Sequence, residues 1–146
     1  MDSLRIVLMF YDWTQIPGTM EAIGWPGSAE ALATSLKPYE DMDRMAVNID
    51  LDVSGIRQTA GIEIVPRWRH PVLVDRMVSR LERSRLCLPQ KGDALRRWVR
   101  IPPSSDPFIQ TTISHYKLNY EDGMIVGAKA YLQQTPYPLH GLYPKD

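Results

Sequence analysis

The sequence predicts an α+β domain in which helices pack on one face of an antiparallel sheet built of two hairpins and an N-terminal strand. Two features lead to this prediction. Strand-like segments occur singly at the N-terminus and then as two pairs, and segments with helical spacing lie between them. In proteins with parallel sheets, single strands alternate with helices along the chain, and this sequence shows no such alternation. The 146 residues, of which 44% are hydrophobic, can bury one core, so we expect a single domain over residues 1–146.

The first half of the chain is predicted to contain a strand, a loop, a helix and a hairpin. Residues 4–11 are an apolar run typical of a buried strand. Two Pro-Gly pairs and the tryptophans Trp13 and Trp25 follow, which indicates a long ordered loop with exposed aromatic side chains. Ser28 is a suitable N-cap for a helix that ends near Pro38. Residues 45–53 and 60–65 form the first predicted hairpin. Its apolar face should carry Val47, Ile49, Leu51 and Val53.

The second half is predicted to contain two helices and a second hairpin. Pro71 and Pro89 each suit the first turn of a helix. Asp122-Gly123 is a strong signal for a tight turn between strands over residues 108–121 and 124–134. Residues from about 135 to 146 contain three prolines, so this tail should be extended.

Composition and motifs exclude several classes of protein. No apolar stretch approaches the roughly 18 residues that a membrane-spanning helix needs. The single cysteine, Cys87, rules out an internal disulfide and favours a reducing compartment, so we expect a cytoplasmic protein. Three widely separated histidines give no metal-ligand spacing, and no nucleotide- or dinucleotide-binding motif is present. We therefore expect neither a metal nor a cofactor.

The second hairpin contains the first candidate site. With a two-residue turn, Tyr116 should oppose Lys129, and Tyr120 and Tyr131 should lie on the same face. A lysine among phenols is a plausible anion site, because the ammonium supplies charge and the hydroxyls supply neutral donors. The alternative is an ordinary half-exposed sheet face, where both residue types are common. Lys117 should join this face only if a β-bulge intervenes.

The polar face of the first hairpin is the second candidate. It should carry Asn48, Asp50 and Asp52, and Glu63 is expected to lie beside them. Neighbouring carboxylates can bind a cation or raise one another's pKa for acid–base chemistry. On a sheet surface that faces solvent they would do neither, and that alternative remains open.

One strand motif resembles those of a known enzyme family. The segment GAKAYL places Lys129-Ala130-Tyr131 on a strand and resembles the K-x-Y strands of ABBA-type aromatic prenyltransferases. In that family, Lys and Tyr on successive strands hold a diphosphate inside an antiparallel barrel wrapped by helices. The resemblance therefore implies a diphosphate pocket on the polar side of the sheet. The preceding strand reads Lys117-Leu118-Asn119, which keeps the lysine and lacks the tyrosine, and the chain is about half as long as such a barrel.

Three functions remain open at this point. The first is a non-catalytic binding or accessory domain that holds a peptide, a small ligand or a protein partner on the polar sheet face and by its loops and tail. The second is a small transferase-like enzyme, in which Lys129 and its tyrosines hold an anion and Asp50 or Glu63 acts as base. Open sheet edges make a homodimer compatible with either function.

The third function, nucleic-acid binding, depends on basic residues that outnumber acids between positions 66 and 100. It is the least favoured function, because no exposed aromatics interleave with the arginines and no known nucleic-acid-binding motif is present. The arginines concerned are Arg76, Arg80, Arg83, Arg96 and Arg97.

Overall fold

The structure is a computed structural model that describes residues 3–42, 44–65, 71–100 and 109–136. Within these ranges, five strands form one antiparallel sheet whose spatial order is the order along the chain. The predicted α+β class is confirmed. The tail after residue 136 and the connector over residues 101–108 lie outside the described residues. The strands are β1 (Leu4–Phe10), β2 (Arg44–Asp52), β3 (Gly55–Val65), β4 (Ile109–Glu121) and β5 (Met124–Pro136).

Two helical pairs connect the strands. Helices α1 (Ile16–Ala22) and α2 (Ala29–Leu36) lie between β1 and β2, whereas α3 (Pro71–Arg83) and α4 (Pro89–Trp98) lie between β3 and β4. No helix in the described ranges is both long and apolar enough to cross a membrane.

Helix α1 lies where a loop was predicted. The Pro-Gly pair at Pro17 indicated a turn, but proline in the first turn of a helix lacks only an N–H that would be unpaired there anyway. Ile16 and Met20, four residues apart, are both fully buried, so packing against the core favours the helix. The adjacent α2 begins as predicted, because the Ser28 hydroxyl accepts a hydrogen bond from the Ala31 amide at 3.1 Å.

The hydrophobic core lies between the helices and one side of the sheet, which we call the helix face. Val47 of β2 and its neighbours Ile62 and Ile64 of β3 lie on the helix face and are fully buried. Leu36 of α2 and Val78 of α3 pack into the same cluster. The other side of the sheet, the open face, carries no helix among the described residues and presents the polar positions of the strands.

The tryptophans of the predicted loop do not form an exposed recognition surface. Trp25 is only 5% exposed, and its indole N–H donates to the Arg57 carbonyl at 3.0 Å. Trp13 is partly buried against the core. Their apolar rings are more stable in the core than in water, so the expectation of exposed aromatic loop residues is wrong for Trp25.

The first hairpin turns more tightly than predicted. β3 begins at Gly55, so Val53 lies in the turn and is fully exposed instead of facing the core. Asp52 organises this turn by accepting hydrogen bonds from the Ser54 amide and from Arg57 Nε, both at 2.8 Å. Asp52 is therefore the last residue of β2, and these hydrogen bonds hold its carboxylate at the turn.

Candidate anion-binding site on the open sheet face

Two register shifts in the second hairpin change which residues share a face. The tight turn is confirmed, since Asp122 and Gly123 both have positive φ angles, 47° and 87°. Beyond the turn, irregularities at 119/120 and at 113/115 shift the pairing by one residue. Lys117 therefore opposes Lys129, whereas Tyr116 opposes Ala130. A one-residue slip moves side chains to the opposite face, so the predicted pairing of Tyr116 with Lys129 is wrong.

The side chains of Tyr116 and Tyr120 lie in the core beneath the helices. Each is 1% exposed. Burial raises the pKa of Tyr116, and its hydroxyl has no hydrogen-bond partner among the described residues. The Tyr120 ring packs at a tilt against Trp25, with 5.8 Å between centroids. Tyr116 is thus separated from the other candidate residues, whereas Tyr120, although its side chain is buried, still lines the open-face cavity together with Lys129 and Tyr131.

Lys117 and Lys129 form a like-charge pair on the open face. They occupy directly opposite positions on β4 and β5. Lys117 is half-buried, because its chain lies over Gly61; a Cβ at Gly61 would lie 2.8 Å from Lys117 Cε. Its ammonium is 4.0 Å from Glu63 Oε1. Lys129 is exposed, and no carboxylate in the described ranges lies within 4.0 Å of its ammonium.

Tyr131 is the third predicted residue on this face. Its ring stacks on His115, with 4.2 Å between centroids and 16° between planes. His115 is in turn 3.0 Å from the Ser114 hydroxyl through Nδ1. Tyr131 remains 41% exposed, so the stacked ring is held in place while its side chain stays accessible beside Lys129.

The acids of the open face are engaged by neighbouring side chains. Arg5 donates to both oxygens of Asp50, at 2.7 and 2.9 Å. That hydrogen bonding lowers the pKa of Asp50, opposing the rise that acid–base catalysis at neutral pH would need. Glu63 accepts a hydrogen bond from the Asn48 amide at 2.8 Å. The structure thus places Asp50 and Glu63 on the open face with Lys129 and Tyr131, and neighbouring side chains hold both acids.

Arg5 is a functional candidate that the sequence did not indicate, whereas Asn48 was expected on the polar face of the first hairpin and lies there. Asn48 is only 5% exposed, because Gly61 beside it leaves room for the Lys117 chain to cross the sheet. The alternation of polar and apolar residues along β2 was the feature of the sequence that placed Asn48 on this face. Arg5 interrupts the apolar run of β1, and a charge in such a run indicates a paired position.

The open face forms a polar cavity of about 470 Å³. One part of it is lined by uncharged donors, from Asn119 and Tyr131, and by the ammonium groups of Lys117 and Lys129. Glu121 lines it near the turn. No group of three or more potential metal ligands occurs in the described ranges. Comparison of the chain with protein-family models, with curated proteins and with solved structures gives no match.

The arginines of α3 and α4 are largely used within the protein. Arg80 forms a two-bond ion pair with Asp41, at 2.6 and 2.7 Å. Arg96 binds both oxygens of Glu82 at 2.9 Å and joins the two helices. Arginines held by carboxylates in this way are poorly placed to bind phosphates. The helix surface is therefore a weaker candidate for anion binding than the open sheet face.

Proposed function

We propose that the protein is a non-catalytic binding domain that holds a small anionic ligand on the open face of its sheet. The observation that supports this most directly is the opposed pair Lys117 and Lys129. Like charges directly opposite each other on a sheet are destabilising. An anion that bridges the two ammonium groups turns this repulsion into attraction, which gives the pair a role in binding.

The two lysines differ in whether a neighbouring carboxylate already offsets their positive charge. Lys117 has Glu63 at 4.0 Å, whereas no described carboxylate approaches Lys129 as closely. Lys129 therefore supplies the main attraction for an anion, and Lys117 adds to it. Asn119 and Tyr131 line the same cavity and offer uncharged donors. Two acids also line the cavity: Glu121, next to the turn, and Asp50, whose carboxylate is held by Arg5. The ligand should therefore lie closer to Tyr131 than to the turn.

A binding role agrees better with this geometry than a transferase-like one. The transferase-like alternative uses the same lysine to hold an anion, as the resemblance to ABBA-type prenyltransferases implies. It also needs a base, and both proposed acids are held by other groups: Asp50 by Arg5 and Glu63 by Asn48. Tyr116, which that alternative assigned to the anion, lies in the core. Product formation from an allylic diphosphate would favour the enzyme over the binding domain.

The proposal is tested by calorimetric titration of the protein with pyrophosphate at low salt. Lys129→Ala should weaken binding by roughly 10- to 150-fold, since charge-assisted hydrogen bonds contribute roughly 1.5–3 kcal/mol. Lys37→Ala is the matched control, because Lys37 is an exposed lysine in the turn that follows α2. The proposal fails if neither pyrophosphate nor any other small anion binds, or if Lys37→Ala weakens binding as much as Lys129→Ala.

A further inference from the structure

A second cavity, of about 620 Å³, adjoins the anion site at the edge of the sheet. It is a groove between the outer strand β5 and the segment that joins α3 to α4. Ala128 and Ala130 of β5 form part of its wall, and Leu81, Leu86 and Leu95 lie opposite. The small alanine side chains leave the groove open, and its volume is in the range of small-molecule sites, roughly 300–1,000 Å³. We refer to it as the edge groove.

The charged residues of the edge groove are all basic. Arg85, Lys91 and Lys129 line it, and none of its described lining residues is acidic. An apolar groove with only cations around it is complementary to a molecule with an apolar body and an anionic end. A neutral apolar ligand would leave these cations without a role.

Arg85 occupies its place in an unfavourable backbone conformation. Its φ angle is +58°, in the left-handed region that favours glycine. The position ends α3, where the Leu86 amide donates to the Leu81 carbonyl at 2.8 Å. Glycine is the usual residue at such a helix end, so a strained arginine that lines a groove is an independent sign of a functional role.

The edge groove and the anion site share two residues. Lys129 and Tyr131 line both cavities. This is possible because an edge strand has no neighbour on its outer side, so a groove beside it can extend from one face of the sheet to the other. An anion held at Lys129 therefore lies at the mouth of the groove.

From this arrangement we infer that the ligand is an anionic amphiphile. Its carboxylate or phosphate binds Lys129, and its single aliphatic chain lies in the edge groove with Arg85 and Lys91 near the mouth. The inference rests on the proposed anion site and adds the class of ligand. An extended peptide paired with β5 is the competing occupant, and the experiment below separates the two.

The test is a calorimetric series of straight-chain carboxylates from butyrate to decanoate, each below its micelle concentration. Burial of a methylene contributes about 0.8 kcal/mol, so affinity should rise by roughly two- to fourfold for each added CH₂. Ala94→Trp should abolish this rise, because Ala94 is an exposed residue of α4 that lines the groove. Ala22→Trp, at an exposed end of α1, is the matched control and should retain it.

Cys87 provides a second test of the groove that does not rely on calorimetry. It is the only cysteine of the chain, is partly buried, and lines the groove. Saturating decanoate should slow its reaction with a maleimide at least fivefold, and the same concentration of butyrate should not. A rate that decanoate leaves unchanged would overturn the assignment of the groove.

The outcomes distinguish the two proposals. If pyrophosphate and butyrate bind but affinity does not rise with chain length, the anion site stands and the amphiphile inference fails. If affinity rises equally in wild type and Lys129→Ala, the groove binds chains without the anion site, and the inference fails in that form. A peptide that protects Cys87 while decanoate does not would identify the groove as a peptide site and also overturn the inference.

Discussion

Two single residues, Lys129 and Arg85, make the folded protein less stable than another residue at the same position would. Lys129 faces Lys117 on the open face, and Arg85 has a left-handed backbone. Each cost is small in a folded domain, but each is avoidable by one substitution. Both residues line the edge groove, and Lys129 also lines the anion site. We therefore interpret the two losses of stability together as a consequence of ligand binding.

Arg85→Gly should make the protein more stable and a poorer binder of amphiphiles. Glycine relieves a left-handed strain of about 1–2 kcal/mol, partly offset by its greater freedom in the unfolded chain, so the free energy of unfolding should rise by roughly 0.5–1 kcal/mol. The affinity for decanoate should fall about threefold, because one cation near its carboxylate is lost. Urea unfolding and calorimetry measure the two quantities.

Arg85→Lys is the matched control for that substitution. It keeps both the charge and the strained backbone, so stability and affinity should stay close to those of the wild type. A loss of stability in Arg85→Gly would show that the arginine side chain has a structural role and would remove the argument from strain.

At the scale of elements, the position of the groove depends on how closely α3 and α4 approach each other. Gly92 of α4 is buried against α3, where a Cβ would overlap the Glu82 carboxylate and lie 2.8 Å from Val78 Cγ1. Arg96 holds that carboxylate with two hydrogen bonds of 2.9 Å, so Glu82 cannot easily move away. Leu81 of α3 and Leu95 of α4 both line the edge groove, so the helix pair forms the wall that faces β5.

Gly92→Ala should lower the free energy of unfolding by about 1–3 kcal/mol, because overpacking forces the two helices apart. Gly18→Ala is the matched control, since Gly18 lies in α1 with nothing within 4 Å of a Cβ. There the change should stabilise the helix by roughly 0.5–1 kcal/mol. Urea unfolding of both variants checks the two signs, and equal effects would contradict the close approach of α3 and α4.

The elements also show what the sequence can and cannot reveal. Alternation and turn residues predicted both hairpins, and Ser28 correctly marked the start of α2. The candidate site required one more piece of information, the register of β4 against β5. Alternation along β4 separates Tyr116 and Tyr120 from Lys117, but it does not show which set shares a face with Lys129, because the irregularity at 119/120 shifts the pairing with β5 by one residue. Lys117 and Tyr116 therefore exchanged faces relative to the prediction.

At the scale of the whole molecule, the five-stranded sheet has two outer strands, β1 and β5, with no partner strand in the described ranges. Exposed apolar side chains on β1, Leu4, Val7 and Met9, lie along one of these edges. Unpaired edges of this kind favour association with another chain. A homodimer and a protein partner remain predictions, and they concern β1 more than β5, whose outer side borders the edge groove.

The distribution of charge over the molecule also agrees better with an anion site on the sheet than with a basic binding surface on α3 and α4. The net charge is zero, and the excess of arginines on α3 and α4 is largely balanced by acids that pair with them. Sequence counts alone could not show this balance, because Asp41 is far from Arg80 along the chain. On the sheet, Lys129 is a cation with no described carboxylate within 4.0 Å, and it lies beside a groove that Arg85 and Lys91 also line.

The central claim, that the lysine pair is kept for anion binding, is tested most directly by Lys129→Glu, followed by both urea unfolding and pyrophosphate titration. The substitution places opposite charges on facing strand positions, so the free energy of unfolding should rise by about 0.2–1 kcal/mol while pyrophosphate binding is lost. The two effects have opposite signs only if the native lysine serves the ligand at the expense of stability. A variant that is less stable than the wild type, or that still binds pyrophosphate with unchanged affinity, would contradict the account.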